Sequence, residues 1–162
     1  MDPRKVQPRV GVAVRILIVD DHPVVRHGLR TLLEIQEGWE VVDEARDGVE
    51  ALEKADRLVP DVIVLDVSMP KMNGLEACRR IRQAVPKSEI LIVTQHDSPQ
   101  MMREAVAAGA RGYVVKSNAG RDLLPAVEAV SQHKPFTVRG NSLQQSATYF
   151  VQAGDFRPGG KE

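Results

Sequence analysis

RILIVDDHP, residues 15–23, sets four apolar side chains, Ile16 to Val19, directly against two adjacent aspartates. The apolar run reads as a buried strand. A core strand seldom runs straight into two like charges, because the pair repels and neither carboxylate tolerates burial unpaired. Such a pair needs a counter-charge, and the chain offers candidates further on.

From residue 15 to about 133 a short Val/Ile/Leu-rich run alternates with a longer segment of helical periodicity, repeating every 20 to 25 residues or so. The strand candidates are ILIVD at 16–20, WEVVDEA at 39–45, VIVLD at 62–66, EILIVT at 89–94 and GYVV at 112–115. Near-continuous apolar runs are what interior parallel strands require, since both faces are covered. WEVVDEA is more polar and suits a sheet edge. In PVVRHGLRTLLEIQEG, Val25, Leu29, Leu32 and Leu33 share one helical face. Pro23 belongs in its first turn, where the missing N–H costs nothing. DGVEALEKADRLVPD, GLEACRRIRQAVP, SPQMMREAVAAGA and GRDLLPAVEAVSQH follow the same logic, with Ser98 capping and Pro99 opening one helix. A start near Arg121 or Asp122 keeps Pro125 close to the first turn of the last helix. Asn73–Gly74 reads as a turn and helix start, and Cys78 falls on the buried stripe beside Ala77 and Ile81.

Five such units with right-handed crossovers make a doubly wound α/β sheet. Its ligand site belongs at the carboxyl ends of the strands, where strand order reverses. There the chain places Asp20 and Asp21 after the first strand and Asp66 at the end of the third. Thr94 ends the fourth and Lys116 follows the fifth. At 4 Å and an effective dielectric near 20, two carboxylates repel by about 4 kcal/mol. Three together call for a cation, and oxygen ligands with room for water suit Mg²⁺. An aspartate beside such a metal can act as a nucleophile toward phosphorus. The cation, Lys116 and the Thr94 hydroxyl would share the charge on the phosphoryl oxygens. His22 and His27 lack a cysteine partner at zinc spacing.

Composition narrows the class. The chain has 162 residues, 22 basic and 22 acidic side chains, and one cysteine. A zero net charge steers it toward neither nucleic acid nor an anionic membrane. Apolar runs are too short to span a bilayer, and VGVAV in the leader is too short for a signal-peptide core. A lone cysteine rules out a disulfide framework and fits a reducing, cytoplasmic setting.

These residues resemble the receiver domain of two-component response regulators. The likeness covers residues 15 to about 133. It rests on the paired aspartates, the LDVSMPKMNG loop around Asp66, Thr94, and Tyr113 three residues before Lys116. The wording DDHPVVRHGLRTLL is most similar to the NarL/FixJ branch, whose members often carry a LuxR-type helix-turn-helix. The resemblance implies a flavodoxin-like (βα)5 sheet of strand order 2-1-3-4-5. It implies Asp66 as phosphoacceptor, with Asp20, Asp21, Asp66 and the Ser68 backbone carbonyl around Mg²⁺. It makes Thr94 and Tyr113 a switch pair, Lys116 the phosphate-binding lysine, and a sensor histidine kinase the phosphodonor. The chemistry expected is self-phosphorylation and self-dephosphorylation, not turnover of a separate substrate. Two positions depart from the family pattern: Ser117 stands where a proline usually follows the lysine, and Gln95 where a small residue usually follows the threonine. The rival reading, a flavodoxin-like binder of a small phosphate-bearing ligand, lacks a glycine-rich phosphate cradle in DDHPVVRHG. A phosphohydrolase built on Asp66 would want a second acid two residues on, where Ser68 stands.

The expected organisation is a leader at 1–14, the receiver at 15–133 and an extension at 134–162. In the extension NSLQQSATYFVQAG reads as a short extra helix over 142–153, with Leu143, Ala147, Phe150 and Val151 on one face. All three phenylalanines follow residue 135, which a merely solvated linker would not need. That helix would dock on this domain, on a second copy in a homodimer, or on another module. DNA contact is expected only through an output domain outside these residues.

Overall fold

The computed structural model describes residues 14–69 and 72–137. The expected extra helix at 142–153 lies outside the described residues. The apolar runs form strands: β1 (Val14–Val19), β2 (Trp39–Ala45), β3 (Val62–Leu65), β4 (Glu89–Thr94) and β5 (Gly112–Val115). The periodic segments form helices: α1 (Pro23–Glu34), α2 (Gly48–Leu58), α3 (Gly74–Ala84), α4 (Pro99–Ala107) and α5 (Ala119–Ser131). These strands pair in parallel in the order β2-β1-β3-β4-β5. The doubly wound sheet of order 2-1-3-4-5 is therefore present. Polar β2 takes the edge, as its sequence requires.

One strand was not anticipated. After α5 the chain turns back and adds β6 (Phe136–Thr137) to the free edge of β5. The sheet thus takes in two residues that sequence reading sets apart as extension. At the other end β1 takes in Val14, assigned by sequence reading to the leader.

Strand alternation divides the core into two layers. On one face Leu17, Val19, Ile63, Leu65, Ile90, Ile92, Tyr113 and Val115 meet α2, α3 and α4. On the other Ile16, Ile18, Val62, Val64, Leu91, Val93 and Val114 meet α1 and α5. Each fully buried Ile or Leu removes enough apolar surface from water to contribute about 1.5–3 kcal/mol. Cys78 belongs to the first layer, and burial pushes its thiol up to about 12, so it serves as a small apolar residue there.

Caps follow the sequence. Asp47, Asn73 and Ser98 each accept a backbone N–H three residues on, in Glu50, Glu76 and Met101. The start of α5 is a correction. A turn of 3-10 helix, Lys116–Asn118, runs straight into α5 at Ala119, ahead of the expected Arg121 or Asp122. Pro125 therefore lies inside the helix and leaves the Arg121 carbonyl without its usual donor. The buried stripe Ala119, Leu123, Ala126, Val127 and Val130 explains the outcome, because tertiary packing outweighs local propensity.

At the amino ends of the strands β4 opens on a buried acid. Glu89 accepts from Arg82 at 2.8 Å and from Arg111 at 3.2 Å, and its Oε2 lies 2.6 Å from His133 Nδ1. Burial alone would raise this carboxyl, but those partners outweigh it and hold Glu89 below its ordinary value.

Candidate functional site

The first strand delivers Asp20 and Asp21 because its ladder ends there: Asp20 N–H still donates to Ala45 in β2, and Pro23 then begins α1. Across β1 and β3, Val19 stands opposite Leu65, so Asp66 emerges beside Asp20. Lys116 follows β5, whose Val115 pairs with Thr94 at the end of β4. Five residues far apart in the chain thus reach one rim of the sheet.

Asp20 and Asp66 are almost wholly buried, at 1% and 2% exposure. Lys116 Nζ sits between them, 2.7 Å from Asp20 Oδ2 and 3.6 Å from Asp66 Oδ2. Burial pushes the Asp66 carboxyl above its ordinary range. Lys116 pulls it down, Asp20 adds to the rise, and the backbone N–H groups of Ser68 and Val67 lower it again. One buried oxygen of each acid, Asp20 Oδ2, Asp21 Oδ1 and Asp66 Oδ1, has no hydrogen bond among the described residues. The first two keep ion-pair contacts, to Lys116 and to His22 Nδ1 at 3.0 Å. Asp66 Oδ1 has none.

Ligand atoms of Asp20, Asp21, His22 and Asp66 lie within 4.8 Å of one another. Three carboxylates dominate that set, and hard oxygen donors with unsatisfied lone pairs are what Mg²⁺ takes. The residues fit the ion.

Behind the acids, Gly74 at the start of α3 touches the loop after β3. A methyl group there would stand 2.0 Å from the Asp66 carbonyl oxygen and 2.4 Å from Val67 Cα. Only glycine allows that approach. Thr94 is fully buried, and its Oγ1 accepts the His96 N–H at 3.3 Å. Tyr113 is fully buried too, and its hydroxyl donates to the His96 carbonyl. The His96 ring reaches back to the loop after β3, with Nε2 3.0 Å from Ser68 Oγ. Among the described residues no peptide bond is cis, so the Lys116–Ser117 bond is trans and opens the 3-10 turn. Gln95 is exposed.

Sequence reasoning missed two histidines. Zinc spacing is blind to His22, a ring beside carboxylates; its Nδ1 lies 3.2 Å from Asp20 Oδ1 and its backbone N–H donates to the same oxygen. His96 lies in a loop, where periodicity carries no signal. Its position two residues after Thr94 was the one available hint.

Comparison with known proteins agrees with this geometry. Residues 16–128 match the response regulator receiver domain. The chain is 44% identical over 117 residues to the DNA-binding transcriptional activator DevR/DosR of Mycobacterium tuberculosis, covering 72% of this chain and 54% of that protein. It is 39% identical over 137 residues to the nitrate/nitrite response regulator NarP of Escherichia coli, covering 84% of this chain and 64% of that protein. Among solved structures, a LuxR-family two-component response regulator from an Aurantimonas species superimposes with a TM-score of 0.77 at 37% identity, over 86% of this chain and 99% of the other. The isolated receiver domain of RcsB from Salmonella enterica, solved with the phosphomimetic beryllofluoride, gives 0.72 at 28% identity, over 85% and 97%. The chain belongs to the receiver domain family of two-component response regulators, in its NarL/FixJ (LuxR-type) branch. Its acidic cluster suits Mg²⁺-dependent phosphorylation of an aspartate. The chain spans between 50% and 64% of the length of relatives such as NarP and DegU. Among the described residues no helix is long and apolar enough to cross a membrane.

Proposed function

We propose that Asp66 is the phosphoacceptor and that its phosphorylation by a sensor histidine kinase remodels a partner-binding face. The observation that supports this is the state of Asp66 itself. One carboxylate oxygen is buried with no hydrogen-bond partner, while the other lies 3.6 Å from an ammonium. A nucleophilic oxygen needs a lone pair not already engaged, and a cation nearby to take up charge as the bond forms. Asp66 would attack the phosphorus of phosphohistidine or of a small acyl phosphate. A P–O bond to Asp66 forms, and the bond to the imidazole or acyl oxygen breaks.

Asp20, Asp21, Asp66 and the backbone carbonyl of Ser68 would hold Mg²⁺, which when bound supplies positive charge for the phosphoryl oxygens. Lys116 adds a second cation from its place between Asp20 and Asp66. Thr94 would donate its hydroxyl to a phosphoryl oxygen, and Tyr113 would report that contact through His96. We read residues 15–133 as the receiver and 134–162 as its extension. The printed descriptions of the relatives, transcriptional regulators and a DNA-binding activator, support a role as the regulatory part of such a protein. The remodelled face would meet an output domain or a second copy.

The test is acid-labile phosphate after incubation with acetyl phosphate and Mg²⁺. Wild type should acquire it and Asp66→Asn should not, with the fold intact by circular dichroism. An Asp66→Asn protein labelled at the wild-type rate would place the nucleophile elsewhere.

A further inference from the structure

The segment after α5 is fastened at three points. His133, in a left-handed conformation with φ of 63°, sets Nδ1 2.6 Å from Glu89 Oε2. Phe136 N–H donates to Arg111 O, and the strand then runs parallel to β5 with Gly112 opposite Phe136 and Tyr113 opposite Thr137. Thr137 is buried, and its hydroxyl donates to Met102 Sδ of α4 at 3.1 Å. Gly112 makes room for this: a methyl group there would press on Phe136 O at 3.1 Å as well as on Leu91 and Val130 side chains.

Strand alternation decides what β6 touches. Tyr113 projects to the face packed by α4, and Thr137, in register with it and bonded to Met102, projects to the same face. Tyr113 therefore lies between Ile92 of β4 on one side and Thr137 of β6 on the other. Thr137 and Met102 close that side of Tyr113, and a ring swinging out across the edge of β5 would need the place they hold. A docked β6 and an outward Tyr113 compete for one place.

We infer that β6 is a latch on the switch: its docking holds Tyr113 inward, so that β6 and a phosphoryl group on Asp66 stabilise one another. This rests on the proposal that Thr94 and Tyr113 sense the phosphoryl group. Contacts join the two ends: Thr94 Oγ1 to His96 N–H, His96 carbonyl to Tyr113 hydroxyl, and Tyr113 to Thr137 through the sheet. Coupling between two binding events is reciprocal, so each must strengthen the other by one factor. Strand β6 is thereby tied to the state of Asp66.

The experiment uses the full chain with Mg²⁺ and beryllofluoride, whose bound fluorine resonance reports occupancy of the site. Saturating beryllofluoride should slow amide exchange at Phe136, whose N–H donates to Arg111 O, in wild type. Thr137→Lys, which puts a charge where a hydroxyl is buried, should evict β6 and weaken beryllofluoride binding about tenfold, within the usual range of such couplings. Thr137→Val keeps the shape and should bind within about twofold of wild type, because the backbone ladder and packing remain. Equal affinity in a folded Thr137→Lys protein overturns the inference, and so does unchanged exchange at Phe136 in wild type. The exchange experiment needs no variant to fold. If wild type shows no bound fluorine resonance, the phosphoacceptor reading of Asp66 falls and the latch falls with it.

Discussion

A methyl group added at Gly74 would meet backbone, not the yielding end of a side chain: the Asp66 carbonyl oxygen at 2.0 Å and its carbon at 2.7 Å. Backbone at the end of a core strand cannot retreat without moving the strand. Gly74→Ala should therefore cost about 1–3 kcal/mol in chemical denaturation, the range of overpacked core sites. A loss below about 0.5 kcal/mol would mean that α3 shifts freely, contrary to this packing. Sequence reading found the turn at Asn73–Gly74 but not the reason for it, since close approach is invisible without the neighbouring loop. Asp20, Asp21, Asp66, Thr94 and Lys116 were legible for the opposite reason. Each ends or follows an apolar run, and the end of a run marks the rim of a parallel sheet. His96 touches Ser68, Thr94 and Tyr113 yet belongs to no period, so its place two residues after Thr94 is the one signal the chain carries for it.

Among the elements, β4 carries its own acid at the end opposite the site. Burial works to raise Glu89, while His133, Arg82 and Arg111 lower it further, and the net is a carboxyl below its ordinary value of 4.5. A depressed acid contributes stability that is fully present above the unfolded-state value and lost as pH falls through the folded one. Glu89→Gln should thus lower stability at neutral pH by about 1–3 kcal/mol, the range for hydrogen bonds to charged partners. The difference from wild type should shrink as the pH drops below about 4.5, the ordinary glutamate range, and vanish once wild-type Glu89 is protonated. Denaturant melts across that range check it; a constant offset at all pH values would mean packing, not charge, sets the cost. The five long strands were readable from their apolar runs, and β2 as an edge from its polar alternation. Strand β6 was not, because two residues give no period and its pairing depends on the turn at His133 that sends the chain back along β5. The early start of α5 was hidden by Pro125, a local signal that the buried stripe outweighs.

For the whole molecule, three acids gathered at one rim store repulsion that a cation should release. Mg²⁺ at a hundred times its dissociation constant should stabilise the fold by about 2.7 kcal/mol, provided it binds the folded chain alone. That corresponds to a rise of roughly 5–10 °C in melting temperature for a domain of this size. Asp21→Ala should lose most of the rise; a variant that responds to Mg²⁺ as wild type does would remove Asp21 from the ion's ligands. A sheet ends where ladder groups go unpaired, and an exposed flat edge can template a strand from a neighbouring chain. Along β2 the rim is lined by charge: Arg26 and Arg30 grip Glu44, and Lys54 and Arg57 reach Asp43. An incoming chain would have to strip those ion pairs before it could pair with β2, so this edge resists templating a foreign strand.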